Sequence, residues 1–275
     1  MKNVFQPFCT TLNFSGETAS CYYAAHITPL HAHNTQQFIL DLKGTFLFRT
    51  AQTDWGKHKA VMIKENVVHQ LNTNKSLQLI IYIDPASAIA QKFRTVHLAD
   101  TDFCDISIEL SPLEETLIYS HLIKPETTYI RLLTQLIFER INDAGTRRLA
   151  DNRITQVLKL IRQTPPDELS IDQLAAKVFI SPSRLRMQFK QLLGVSLHQY
   201  LIKQKILSAI NFMINGSSIQ DAAYRSGFND SSHLNKLMGK LFHINPSLFI
   251  RENQTFSIVK NSPSFDLITR AASPA

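Results

Sequence analysis

A chain of 275 residues is long enough for two ordinary domains, which commonly run about 100 to 200 residues each. Its 44% hydrophobic and 19% charged residues exclude the disordered and fibrous classes. No apolar run approaches the roughly 18 residues of a membrane span, and the opening MKNVFQPFCTTLNF has no apolar signal block, so a cytoplasmic protein without a membrane partner is expected.

The net charge of +7 is unevenly distributed. Residues 1–150 hold 14 basic and 14 acidic side chains, residues 151–253 hold 13 against 7, and residues 254–275 hold 2 against 1. A basic excess confined to one segment is the footprint of a surface that meets a polyanion.

The first hundred residues carry strand signals. The strings YYAAHI, QQFILDLKGTFLFRT, HKAVMIKENVVHQLN and SLQLIIYID are rich in β-branched and aromatic residues, with turns at Lys43-Gly44 and Asn72-Thr73-Asn74, which predicts a small antiparallel barrel or sandwich. The pattern changes after Asp84-Pro85. Ser111-Pro112-Leu113-Glu114 offers a capping serine, a proline at the first helical position and a glutamate three residues on. It opens a helix carrying Leu113, Leu117, Ile118 and Leu122. A second helix after Pro125 bears Ile130, Leu133, Leu136, Ile137 and Ile141 on an apolar stripe, which must be covered by the same chain or by a second copy. Asp143-Ala144-Gly145-Thr146 reads as a linker.

From Ala150 onward the periodicity is helical. ITQVLKLI is stopped by Pro165-Pro166, Ser170 starts IDQLAAKV, and Ser181-Pro182 starts the next helix. Two short helices joined by a turn of three or four residues are the helix-turn-helix signature. A long helix then runs from about Ser196 to Asn215, with Gly216 placed to end it.

The second half of this region repeats the first. Ile171 and Ala175 match Ile219 and Ala223 at an offset of 48 positions, and Leu185, Phe189, Leu192 and Leu193 match Leu234, Met238, Leu241 and Phe242 at an offset of 49. The extra residue falls in the second turn, where Gly227 can supply the positive φ that a tight turn often needs. A repeat of small and apolar positions in register indicates two copies of one unit. A connecting helix of about 20 residues spans roughly 30 Å. That approaches the ~34 Å between successive major grooves on one face of DNA.

The stretch from Leu169 to Ile250 resembles the DNA-binding domain of the AraC/XylS regulators. The resemblance rests on Ser181, Leu185, Phe189-Lys190, Gly194, Ser196, Tyr200-Leu201 and Ala209. It continues through Ile219, Ala222-Ala223, Gly227-Phe228, Asp230 and Pro246-Ser247. Lys205, Lys236, Met238, Gly239 and Ile250 depart from the family's pattern. The resemblance implies an α+β chain: a cupin-like β-barrel over 1–95, a helical linker and dimerisation segment over 96–147, an all-α domain over 148–253 with two helix-turn-helix units joined by a long helix, and a tail over 254–275. It also implies an effector-responsive activator rather than an enzyme, working with double-stranded DNA, RNA polymerase, a small-molecule effector and a second copy of the chain.

In the first recognition helix, Leu185, Phe189 and Leu192 share one face, leaving Ser183, Arg184, Arg186, Met187 and Lys190 outward. The family comparison places base contacts near Ser183, Arg186 and Met187, and a guanidinium at Arg186 suits guanine O6 and N7. In the second, Leu234, Leu237, Met238 and Leu241 point inward and Ser231, Ser232, Asn235 and Lys236 outward. Ser181 and Asp230 read as helix caps.

His31-Ala32-His33, Gln37, Gly44 and His69 resemble the cupin metal pattern, in which alternate residues such as 31 and 33 point the same way. Gln37 stands where that pattern has a glutamate, and Lys64 and Asn66 replace its second proline and glycine. Three imidazoles would suit zinc, iron or nickel. The regulator family instead implies an organic effector in the same pocket and no cofactor. The alternative function is a metal-cupin enzyme of dioxygenase or isomerase type tethered to DNA. Cys9, Cys21 and Cys104, odd in number and without ligand spacing, suit a reducing compartment.

Overall fold

The computed structural model describes residues 8–15, 18–24, 27–74, 76–123, 127–141, 152–242 and 256–258. The chain divides into two compact units, residues 1–147 with 255–259 and residues 148–254 with 260–275. The linker at 143–146, Pro246-Ser247, Ile250 and the side chains of Cys9, Cys21, Leu122, Ile130 and Leu241 lie outside what is described.

The first unit holds β1 (Phe8–Ser15), β2 (Thr18–Ala24), β3 (Gln36–Asp41), β4 (Phe46–Thr50), β5 (Gly56–His58), β6 (Ala60–Ile63), β7 (His69–Asn72), β8 (Gln78–Ile83), α1 (Ala88–Val96), β9 (Phe103–Asp105), α2 (Pro112–Ile123), α3 (Thr127–Ile141) and β10 (Phe256–Ile258). These strands do not close into the expected barrel. They form an open seven-stranded sheet, β10-β1-β2-β8-β3-β6-β9, and a three-stranded sheet, β5-β4-β7. β3, β6 and all but one residue of β8 are buried along their length, because they are covered on both faces. Phe38, opposite Met62 and Ile81, turns to the helices, where it joins Phe93, Leu133, Ile137 and Phe138 in one core. On the other face Phe48 of the small sheet meets Phe103 of the large one, with ring centroids 4.9 Å apart.

This packing decides what covers the α3 stripe. Leu133 and Ile137 are fully buried inside their own unit and Leu136 is partly buried against the same core, so they are not a free face for a second copy. On α2 the buried face is Glu114, Leu117 and Ile118, at i, i+3 and i+4, whereas Leu113 is exposed. Glu114 sets this rotation. Its carboxylate accepts from Ser111 N at 2.7 Å and pairs with Arg140 of α3, while Ser111 Oγ accepts from Glu114 N. This is the predicted capping box.

The second unit is helical: α4 (Asn152–Gln163), α5 (Ile171–Lys177), α6 (Pro182–Leu193), α7 (Leu197–Ile214), α8 (Ile219–Arg225) and α9 (Ser231–Phe242). Its starts are written in serines. Ser170, Ser181, Ser196 and Ser218 each accept a hydrogen bond from the backbone N–H three residues on, which satisfies one orphan donor per helix. Gly194 ends α6 at φ +71° and Gly216 follows α7 at φ +92°.

Candidate nucleic-acid interface and histidine cluster

Two helix pairs, α5 with α6 and α8 with α9, are joined by the 18-residue α7, a span of about 27 Å at 1.5 Å per residue. In α6 the side chains of Leu185, Phe189 and Leu193 are buried, and Leu192 is only partly so. Ser183, Arg184, Arg186, Met187 and Lys190 are all exposed, on the opposite side of a helix that buries positions i, i+4 and i+8. The fixed inner side comes from packing such as Phe189 against Tyr200 of α7, with centroids 5.4 Å apart. In α9 Leu234 and Met238 are buried. Ser232, Asn235 and Lys236 are exposed, and Ser231 is half-buried. Asp230 caps this helix through a 2.7 Å bond from His233 N to Oδ1.

Two features of this unit were not legible in the sequence, the contact made by Lys205 and the backbone of Phe179, whereas the positive φ read at Gly227 is present. Lys205 of α7, where the sequence departs from the family pattern, donates from Nζ to Gly227 O at 3.0 Å and so ties the long helix to the second turn. Gly227 itself, at φ +76°, is packed so that a Cβ there would lie 2.9 Å from Asp167 Cα. In the first turn Phe179 takes φ +57° and is 94% exposed, a conformation that a bulky L-residue rarely adopts.

Residues 174–252 match the family described as helix-turn-helix domain. The second unit is therefore similar to the helix-turn-helix domains of that family. The transcriptional activator RhaS of Klebsiella pneumoniae strain 342 is 27% identical over 122 residues, 44% of this chain and 43% of that protein. RhaS of Citrobacter koseri is 30% identical over the same length and shares. The chain therefore spans less than half the length of these curated relatives. Among solved structures, an apo ToxT variant from Vibrio cholerae strain SCE256 is similar at a TM-score of 0.56 and 12% identity, covering 86% of this chain and 98% of that one. That likeness is one of fold.

In the first unit the structure brings together three of the four residues of the candidate pocket. The segment before β3 runs beside β7, with His31 N donating to His69 O at 3.0 Å and His69 N to His31 O at 2.8 Å. Asn66 N donates to His33 O at 2.7 Å. Asn66 takes φ +64°, so an asparagine, a residue tolerant of that region, serves where the cupin pattern has glycine. The ligand atoms of His31, His33 and His69 all lie within 4.8 Å of one another. Nδ1 of His31 is 2.7 Å from Pro29 O, and Nδ1 of His69 is 2.9 Å from Val67 O. Each ring therefore carries its proton on Nδ1. Phe48 and Tyr82, one from each sheet, pack against His69 and His33. Burial lowers the proton affinity of His31, opposed by its bond to Pro29. Gln37 lies opposite Tyr82 in the register, hence on the same sheet face. It is 2% exposed, and its Oε1 has no hydrogen-bond partner among the described residues.

Among the described residues no helix is long and apolar enough to cross a membrane. Cys104 is a free thiol there, and burial pushes its pKa up.

Proposed function

We propose that this chain is a sequence-specific, DNA-binding transcription regulator that acts in the cytoplasm. Its two helix-turn-helix units would insert α6 and α9 into successive major grooves. One observation carries the reading: two in-register helix pairs, each with an apolar inner face and a polar or cationic outer face, are spaced by one helix whose length approaches a turn of DNA. Ser183, Arg184, Arg186, Met187 and Lys190 form the first contact set, and Ser231, Ser232, Asn235 and Lys236 the second. The relatives named as activators support activation, which requires contact with RNA polymerase. The first unit serves as the sensor of a small effector, and the chain works as a homodimer or as a tandem reader. It is not an enzyme in this reading, and no catalytic residue is assigned.

The test is binding of the full chain to genomic fragments in competition with random DNA at physiological salt, followed by footprinting. The expected footprint covers two major-groove segments on one face, with affinity falling steeply as salt rises because cationic contacts release counterions from phosphates. Equal affinity for all sequences would overturn the assignment.

A further inference from the structure

We propose that His31, His33 and His69 bind one divalent transition-metal ion, of the zinc, cobalt, nickel or iron class, between the two sheets of the first unit. The family resemblance implies an organic effector and no metal in this unit, so the inference goes against that expectation. It rests on four observations.

The first is convergence. Three imidazoles from two segments 36 positions apart place their ligand atoms within 4.8 Å of one another. Nitrogens bound to one tetrahedral ion at 2.0–2.1 Å stand about 3.4 Å apart, so small ring rotations close the set.

The second is orientation. Nδ1 of both His31 and His69 is held by a backbone carbonyl. That arrangement fixes the tautomer, puts the lone pair on Nε2 and raises its basicity, as the outer-shell partners of metal-bound histidines do.

The third is rigidity. The reciprocal backbone bonds between His31 and His69 and the bond from Asn66 N to His33 O fix the relative positions of the three ligands before any ion arrives. Little ordering is left to oppose binding.

The fourth is donor chemistry. His33 and His69 are almost wholly buried, and every donor that the cluster offers is an imidazole nitrogen. A set of imidazole nitrogens without a carboxylate favours zinc, cobalt, nickel or iron over magnesium and calcium.

The experiment uses the full chain, stripped with chelator and titrated with Co²⁺, in parallel with nitrogen-15 spectra of its histidine rings. The expected result is one ion per chain, a visible ligand-field band that Zn²⁺ abolishes, and shifts at Nε2 of three rings whose Nδ1 stays protonated in at least two. His33→Ala and His69→Ala should each weaken binding more than the 10- to 100-fold typical of an outer-shell change, while His198→Ala, in the other unit, leaves it unaltered. Far-ultraviolet circular dichroism tests whether each variant is folded. If one is not, the ring spectra of the unaltered chain still decide. No stoichiometric binding, or ring shifts elsewhere than in these three histidines, overturns the proposal. The readout needs no DNA, so its failure is distinguishable from failure of the regulator reading.

Discussion

Phe179 and Gly227 occupy the same place in the two turns, 48 positions apart, and both have positive φ, +57° and +76°. A non-glycine residue in that region costs roughly 1–2 kcal/mol. Phe179 is exposed and recovers little of that cost by burial. Phe179→Gly is therefore expected to raise the stability of the full chain by about 1 kcal/mol, reduced by the extra freedom of glycine in the unfolded chain. Gly227→Ala should act in the opposite sense, since its Cβ would collide with Asp167 and with the Lys205 ammonium. Chemical denaturation of the two variants checks both signs. Impaired transcription in the more stable Phe179→Gly chain would assign the exposed ring a contact role.

Leu133 and Ile137 lie on a stripe that, as sequence, suits either a core or a two-fold interface. Their burial against Phe38, Phe93 and Phe138 predicts that changing both to aspartate unfolds the first unit. Each loses roughly 1.5–3 kcal/mol of burial and forces a carboxylate into an apolar site, against a typical total of about 5–15 kcal/mol. Loss of the cooperative thermal transition is the expected outcome. A folded monomer would restore the interface reading.

The parts legible in the sequence were those encoded locally. Ser170, Ser181, Ser196 and Ser218 announce their helices because a cap acts over three residues, and the repeated apolar spacing exposes the outer faces of α6 and α9. Pairing across the chain was not legible. β10 lies far from β1 in sequence yet joins its edge, and the three-residue β9 carries too little pattern to read. The histidine cluster was half visible. The His-x-His spacing is local, but the bonds that orient His31 and His69 go to backbone carbonyls, which no side-chain pattern records. Phe179 gave no signal at all, because nothing in a phenylalanine encodes positive φ, and only its alignment with Gly227 could have marked it.

His31 gives the first unit a pH dependence of known sign. Its folded pKa lies below the ordinary 6.5, so the unfolded chain binds the proton more tightly. The stabilisation is fully present above about 6.5 and is lost as pH falls from there through the depressed folded value. Unfolding of the stripped chain should shift to lower denaturant as pH drops through this window. His31→Gln should flatten the slope. An unchanged slope in that variant would assign the dependence to another group.

Arg186 and Lys190 are both exposed cations on α6, and their chemistry separates the roles proposed for them on DNA. A guanidinium can donate two parallel bonds to guanine O6 and N7, a contact worth about 1–3 kcal/mol of discrimination, whereas an ammonium acts as a point charge suited to phosphate. Arg186→Ala is therefore expected to relax base preference in one half of the footprint and leave the other half sharp. Lys190→Ala should weaken binding to all sequences alike and reduce the salt slope by about 1. In the second helix Asn235→Ala should relax preference at an adenine in the other half, with Lys236→Ala again uniform. Selection of bound sequences from a randomised pool, repeated at two salt concentrations, reads both quantities for each variant. If Arg186→Ala and Lys190→Ala give the same uniform loss and the same change in salt slope, Arg186 meets only the phosphate backbone and base reading must come from its neighbours Ser183 and Met187.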